Sequence, residues 1–437
     1  MKRSFQLSCL CMGLAALLVL SAAGRAEAAG EGAGLLAEAQ KTFKQLPDKM
    51  PGGEKDTPAL IELGKKLYNE QRISINGTQS CNTCHRLDSN LAGVDNEPTS
   101  PGAEGKRGDR NSPTTLNAGF HIAQFWDGRE PTLAAQAKGP VLNPIEMGMP
   151  NAETVLVELK KAGYDALFKK VFPGVAEPLN YDNYAEAVAA FERTLVTHDR
   201  FDDYLGGQEQ ALTAQEKKGL AAFMKASCTD CHQGALLGGD RYEQMGQANP
   251  YANKKDLGRY EVTKKDEDKF VFKVPSLRNI ALTWPYFHDG KAATLSDAVS
   301  QMAVLQVGDE LSKEQVADIV AFLGALSDKE LVKKPAAAAP AAAKPAAKPA
   351  AKPAAKPAAK PAAKPAPAAA AKPAPAAAAK PAPAAAAKPA PAAAAKPAPA
   401  AAPAPAAPAP EAAAAPASSW EHRAVQKPWR RRILRRP

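Results

Sequence analysis

The sequence predicts an all-α body of two tandem, duplicated domains, with an export signal ahead of it and an unstructured tail behind it. Three observations carry this expectation. The run Cys81-Asn82-Thr83-Cys84-His85 recurs as Cys228-Thr229-Asp230-Cys231-His232. An amphipathic helical pattern precedes each copy, at Ile61–Tyr68 and at Glu216–Phe223. Past Lys334 the composition turns into repeating Ala, Pro and Lys.

A C-x-x-C-H run is the attachment signature of a c-type haem. The two thiols add across the vinyl groups, and the histidine that follows reaches the iron as proximal ligand. The chain has six cysteines; Cys9 and Cys11 lie in the N-terminal apolar segment and the other four form these two pairs. No thiol is left for a disulfide, a zinc site or a nucleophile. A thioredoxin-like dithiol does not account for a histidine directly after both pairs. The expected cofactors are therefore two covalently bound haem c groups, one on Cys81, Cys84 and His85, the other on Cys228, Cys231 and His232.

Taken in order, residues 1–28 read as a signal peptide. Lys2 and Arg3 form a charged start, Leu10 to Leu20 a short apolar run, and Ala26-Glu27-Ala28 a small-x-small cleavage site. The apolar run is short for a membrane span, so the expected location is periplasmic. Residues 29–200 then form an N-terminal cytochrome c-like domain and 201–333 a C-terminal one. In both pre-motif segments apolar residues recur three and four apart, which makes one buried stripe. Thr213 and Glu216 supply a capping box for the second helix. Downstream, Pro113-Thr114-Thr115-Leu116-Asn117 resembles Pro275-Ser276-Leu277-Arg278-Asn279, Phe125-Trp126-Asp127-Gly128 resembles Phe287-His288-Asp289-Gly290, and Thr132-Leu133 resembles Thr294-Leu295. The offset is constant, since 275 − 113, 288 − 126 and 295 − 133 each equal 162. That constancy argues for duplication, with Trp126 and His288 in equivalent places. Residues between about 150 and 205 read as connecting helices, for example Tyr184 to Leu195.

Residues 334–437 read as a disordered spacer, because an Ala/Pro/Lys tract buries nothing that would offset its ordering entropy. From Lys334 onward 18 Lys and Arg face Glu411 and Glu421, a net of +16. The whole chain carries +10, so residues 1–333 carry 10 − 16 = −6. The basic character belongs to the tail, and nucleic acid is excluded as a partner of the mildly acidic body. The tail either touches an anionic envelope surface or is a solvated spacer with a basic end.

From about residue 35 to residue 330 the chain resembles the bacterial diheme cytochrome c peroxidases. The resemblance rests on Arg110-Asn111-Ser112-Pro113-Thr114, Gln124-Phe125-Trp126-Asp127-Gly128-Arg129, Ala135-Gln136-Ala137-Lys138-Gly139-Pro140, Glu146-Met147 and Tyr286-Phe287-His288-Asp289-Gly290. It implies reduction of hydrogen peroxide to water with electrons from a small cytochrome c or cupredoxin. It makes the haem on His85 the peroxidatic one and that on His232 the electron-accepting one. It implies catalytic roles for Glu146, the acid/base group, for Gln136, and for Trp126, the aromatic between the haems. It places Met302 as sixth ligand of the second iron. It also implies an inter-domain calcium on Asn111 and on the backbone oxygens of Thr283 and Pro285, and a homodimer, the state common among relatives.

One departure has a consequence for activation. Many relatives carry a histidine before Arg-Asn-Ser-Pro that caps the peroxidatic iron until reduction releases it. Here that position is Ala103, and no histidine lies between His85 and His121. The expectation is an N-terminal haem open from the start, with no reductive activation. His121 is expected to be a structural or hydrogen-bonding residue, the alternative being a substitute cap, and His198 an exposed or capping one. A maturation enzyme that oxidises residues of a partner protein also lacks the cap, although it has a tyrosine where this chain has Met302. A pure electron-transfer cytochrome is the remaining alternative.

Overall fold

The computed structural model describes residues 34–88 and 91–333. The expected signal segment, 1–28, and the tail, 334–437, lie outside them. The helices are α1 (34–42), α2 (Pro58–Tyr68), α3 (Cys81–Cys84), α4 (Leu133–Leu142), α5 (Ala152–Lys161), α6 (Tyr164–Val171), α7 (Tyr181–Glu192), α8 (Arg200–Leu205), α9 (Ala214–Lys225), α10 (Tyr260–Thr263), α11 (Leu295–Met302), α12 (Lys313–Gly324) and α13 (Lys329–Val332). Among the described residues no helix is long and apolar enough to cross a membrane.

The helix before each motif forms as its pattern predicts. Thr57 caps α2 by accepting from the Leu60 amide, with Pro58 in the first turn where its missing N–H costs nothing. Its buried residues, Leu60, Leu63, Gly64, Leu67 and Tyr68, fall on one stripe. Thr213 and Glu216 form the capping box of α9. Each of these helices crosses its partner at a glycine. A β-carbon on Gly64 would overlap the Ala187 carbonyl in α7, and one on Gly219 would overlap the Asp318 carbonyl in α12. The lack of a side chain is what lets the two backbones touch.

Two cores result. In the first, Leu63, Leu67 and Tyr68 pack with Val155, Leu159, Phe168, Tyr184 and Val188. The expectation that residues 150–205 merely connect is thus corrected: α5, α6 and α7 are walls of the first core, and α7 ends at Glu192 rather than Leu195. A helix reads as a connector when its apolar stripe is short, yet Phe168 and Leu159 are fully buried. In the second core, Leu220, Phe223, Ile319 and Phe322 pack with Ala39 and Phe43 from the start of the chain. The Phe43 and Phe201 rings meet edge to face at 5.3 Å. Buried Arg278 fixes that crossing: it pairs with Asp199 at 2.6 Å and Asp202 at 2.9 Å and donates to the Lys44 carbonyl.

The body is mostly helical but not all-α. Tyr242–Gln244 (β1) and Val271–Lys273 (β2) form an antiparallel ribbon with Tyr242 opposite Lys273. Strands of three residues show too little alternation to be legible. They lie where the second half is longer: motif histidine to repeat proline is 113 − 85 = 28 residues in the first half and 275 − 232 = 43 in the second.

The duplication is visible in the backbone. Phe125 and Phe287 have φ of 66° and 71°, and Asn117 and Asn279 both have φ of 62°. Gln124 bridges Glu130 as Tyr286 bridges Ala292, closing the same turn twice. Asn117 and Asn279 both donate their amides to the Thr197 hydroxyl, at 2.7 and 3.2 Å. Each also accepts from a backbone amide just past a helix of its own core, Thr197 and Asp328 respectively. One buried hydroxyl therefore joins the two repeats at their centre.

Candidate active site

At the first motif, Ser80 and Thr83 close a capping box that starts the single turn α3. The His85 amide donates back to the Cys81 carbonyl at 2.9 Å. His85 Nδ1 lies 3.0 Å from the Pro113 carbonyl, which only accepts, so Nδ1 carries the proton and Nε2 keeps its lone pair. The Tyr68 hydroxyl holds the His85 carbonyl from behind at 2.6 Å. The second motif repeats this. The His232 amide donates to the Cys228 carbonyl at 2.9 Å, and His232 Nδ1 donates to the Leu237 carbonyl at 2.9 Å. Burial holds both imidazoles below their ordinary pKa. Each is a neutral, oriented nitrogen donor, as a haem iron requires.

The thiols are not a redox dithiol. Burial pushes Cys84 and Cys231 up to about 11 and Cys228 to about 12, the reverse of an activated cysteine. Beside the second motif lies a cavity of about 250 Å³, lined by Cys228, Cys231, His232 and Met302 together with Phe223 and Leu277. Apolar walls, two cysteines on one side and an oriented imidazole fit a covalently held haem c. Met302 is the last residue of α11, followed by a π-helical turn over Ala303–Val307, a distortion frequent at functional sites. The structure thus places both expected axial ligands of the second iron on one cavity.

Glu146 lies near the first motif, close enough for its charge to raise the Cys84 thiol. Burial raises its own pKa, opposed by Arg129 and by the Asn143 amide, which donates to Oε1 at 3.0 Å. Above it the chain folds back. The Ala103 amide donates to the Glu146 carbonyl at 2.7 Å, and a β-carbon on Gly102 would overlap the Ile145 carbonyl. The loop that would bear a capping histidine is thus clamped to the Glu146 loop, and brings a methyl group there. Gln136 is half-buried in the second turn of α4, the helix that leads into the Glu146 loop.

Trp126 occupies the seam. Its Nε1 donates to the Asn111 carbonyl at 2.9 Å, and its ring meets that of His288, its repeat mate, at 6.3 Å and 72°. The Asn111 amide donates to the His288 carbonyl at 2.7 Å and the Lys273 amide to the Trp126 carbonyl at 2.8 Å. Asn111, Thr283 and Pro285 line the same cavity. Beside them the Asn96 amide donates to the carbonyls of Leu282 and Trp284, at 3.2 and 2.6 Å. Its Oδ1 is buried without a hydrogen-bond partner. An orphaned amide oxygen among carbonyls fits a hard cation, and no cluster of acidic, His or Cys side chains among the described residues offers another metal site.

Other features were not legible in the sequence. Glu192 is buried and raised to about 8 by desolvation. Asp95 acts on both His85 and Cys84. A lone acidic residue, whether at a helix end like Glu192 or in a loop like Asp95, gives no periodic signal of either fact. His121 does make a hydrogen bond, to Lys273 at 2.7 Å, and His198 is exposed, its amide donating to Asp328.

A model of the di-haem cytochrome c peroxidase family matches residues 58–210, and a cytochrome c model matches 216–327. Cytochrome c551 peroxidase of Pseudomonas aeruginosa is 45% identical over 303 residues, which span 67% of this chain and 86% of that protein. Methylamine utilization protein MauG of Methylorubrum extorquens is 31% identical over 328 residues, 71% of this chain and 91% of that one. Among solved structures, a MauG-like protein associated with microbial copper homeostasis aligns with a TM-score of 0.58 at 28% identity, covering 67% of this chain and 96% of its own.

Proposed function

The chain belongs to the di-haem cytochrome c peroxidase family, and from that premise we propose that it reduces hydrogen peroxide at the haem on His85 with electrons received at the haem on His232. It is a peroxidase and carries haem c. The observation that supports this division is the unlike surroundings of the two motifs: a half-buried carboxylate, Glu146, beside the first, and a thioether, Met302, sharing a cavity with the second histidine.

Peroxide takes up two electrons and two protons to give two waters, and each donor delivers one electron. A bound haem supplies the coordination position and the electron store. Glu146 accepts a proton from one peroxide oxygen and returns it to the other, so that the O–O bond breaks with water as leaving group. Its raised pKa suits that exchange, since the group is easily reprotonated. Asn143 orients the carboxylate, and Gln136, on the helix that leads into the Glu146 loop, is the polar partner for peroxide. Met302 and His232, which line one cavity, would both ligate the accepting haem, and the thioether would raise its potential; Trp126 would carry electrons across the seam. Asn111 and the Thr283 and Pro285 carbonyls would hold a calcium ion, whose charge would tie the two sides of the seam. Ala103 offers no ligand, so a haem held by His85 would lack a histidine cap and turnover is expected without prior reduction.

The protein is periplasmic after loss of residues 1–28, with haem domains 29–200 and 201–333. Its donor is a small cytochrome c or cupredoxin, its active form a homodimer, and its basic tail contacts an anionic envelope surface. Ala103 also favours a second reading, oxidation of residues in a partner protein, as does the likeness to a methylamine utilization protein; Met302 weighs against it. Steady-state oxidation of a reduced small cytochrome by hydrogen peroxide tests the assignment. Turnover without pre-reduction is expected; a protein that binds two haems but does not oxidise the donor contradicts it.

A further inference from the structure

Lys273 ends β2 and is 7% exposed, yet among the described residues no carboxylate lies within ion-pair distance of it. A buried ammonium without a counter-charge is strongly unfavourable. Its partner is instead the His121 ring, with Nζ 2.7 Å from Nδ1. An ammonium has no lone pair to offer, so it donates, Nδ1 accepts, and the His121 proton sits on Nε2. Burial and the neighbouring cation hold His121 well below its ordinary pKa, which keeps it neutral. The pair therefore carries one positive charge and presents only N–H donors to its surroundings. That is half of an anion site.

Its location supplies the other half. His121 and Lys273 line the same cavity as Cys231, His232 and Met302. The imidazole lies against Gly239, where a β-carbon would overlap Leu236 and sit in contact with the ring at 3.4 Å. Another cation near this haem motif is already engaged: Arg241 pairs with Asp240 and donates to the Asp230 carbonyl. A haem c bound through Cys228, Cys231 and His232 carries two propionate carboxylates. We propose that Lys273, with His121 as second donor, is the counter-ion of a propionate of the C-terminal haem and thereby raises that haem's reduction potential. The inference rests on haem occupying the second motif. Reduction adds one negative charge to the haem, so a fixed cation at its carboxylate favours the reduced form. Burial alone lowers the Lys273 ammonium to about 8; a propionate beside it reverses that loss. The Lys273 amide also donates to the Trp126 carbonyl, so the anchor sits on the strand that positions the aromatic at the seam.

The test is a spectropotentiometric titration of the full diheme protein at neutral pH, with haem content counted separately for each variant. Lys273→Met, nearly isosteric and uncharged, is expected to shift the reduction equilibrium of the higher-potential haem about tenfold toward the oxidised form, about 59 mV for one electron. Lys273→Arg is expected to stay near wild type. His121→Asn is expected to shift it in the same direction by less, and serves alone if Lys273→Met does not assemble. The resonance Raman propionate bending band is expected to move in Lys273→Met and not in Lys273→Arg. Two haems per chain with unchanged potentials in Lys273→Met and His121→Asn overturn the proposal. Loss of the second haem from wild-type protein instead removes the reading on which it rests.

Discussion

Around His85 the chain sets a carboxylate, Glu146, on a loop clamped beneath Ala103, with Asn143 as its hydrogen-bond partner. Around His232 it sets Met302 at the end of α11, just before a π turn, inside an apolar cavity. The frames are the same: a glycine-crossed helix, a C-x-x-C-H turn, an imidazole oriented by a backbone carbonyl, and an asparagine bound to Thr197. The difference teaches that duplication supplied the holder while residues outside the repeated motifs supply the difference between the halves. One half sets a carboxylate near its motif and the other a thioether on the cavity of its histidine.

The largest expected effect breaks the first half alone. Glu146→Gln keeps shape and removes the base; turnover is expected to fall by about 10²–10⁴ with both haems retained. An unchanged rate takes Glu146 out of the chemistry. The same carboxyl sets a pH signature. It works as a base, its pKa lies above the ordinary carboxylate value, and so kcat/KM is expected to fall as pH drops through that raised value. In Glu146→Gln this acid limb disappears.

Breaking the second half is expected to look different. Met302→Ala removes the thioether, lowers the potential of the accepting haem and slows donor oxidation roughly tenfold, while reaction of peroxide with the pre-reduced protein is retained. Stopped-flow traces of the two phases separate these effects. A loss of peroxide reactivity equal to that in Glu146→Gln contradicts the division of labour.

The shared frame predicts matched, smaller effects. Gly64→Ala and Gly219→Ala each push a methyl group into a backbone carbonyl and are expected to cost about 1–3 kcal/mol, read as lowered thermal midpoints of similar size. A large effect in one and none in the other means that the two crossings are not equivalent. Thr197→Val leaves two buried asparagine amides short of an acceptor and is expected to cost about 1–3 kcal/mol.

What was legible in the sequence follows from the range over which each signal acts. The two motifs, the helices before them and the constant 162-residue offset are local patterns, and the helices appear at those places. Periodicity says that a face is buried without saying against what. It therefore missed that α1 joins the second core through Ala39 and Phe43, and that α5 to α7 wall the first. The ribbon was hidden by its length and by Glu243 and Lys273 in its strands. The roles of Glu146, Met302 and Trp126 came from resemblance rather than residue physics. The structure shows Glu146 near one motif, Met302 on the cavity of the other and Trp126 in the seam. Asn96, Glu192 and the Lys273–His121 pair are isolated polar residues whose meaning depends on burial.

The unlikeness of the two haems is measured most directly by the spectrum of the oxidised protein as purified. Electron paramagnetic resonance and visible absorption together are expected to show one high-spin or water-ligated ferric haem and one low-spin haem with the methionine charge-transfer band. Met302→Ala is expected to remove only the latter. Two low-spin haems in the resting oxidised wild type, with peroxide reacting only after reduction, contradict the account.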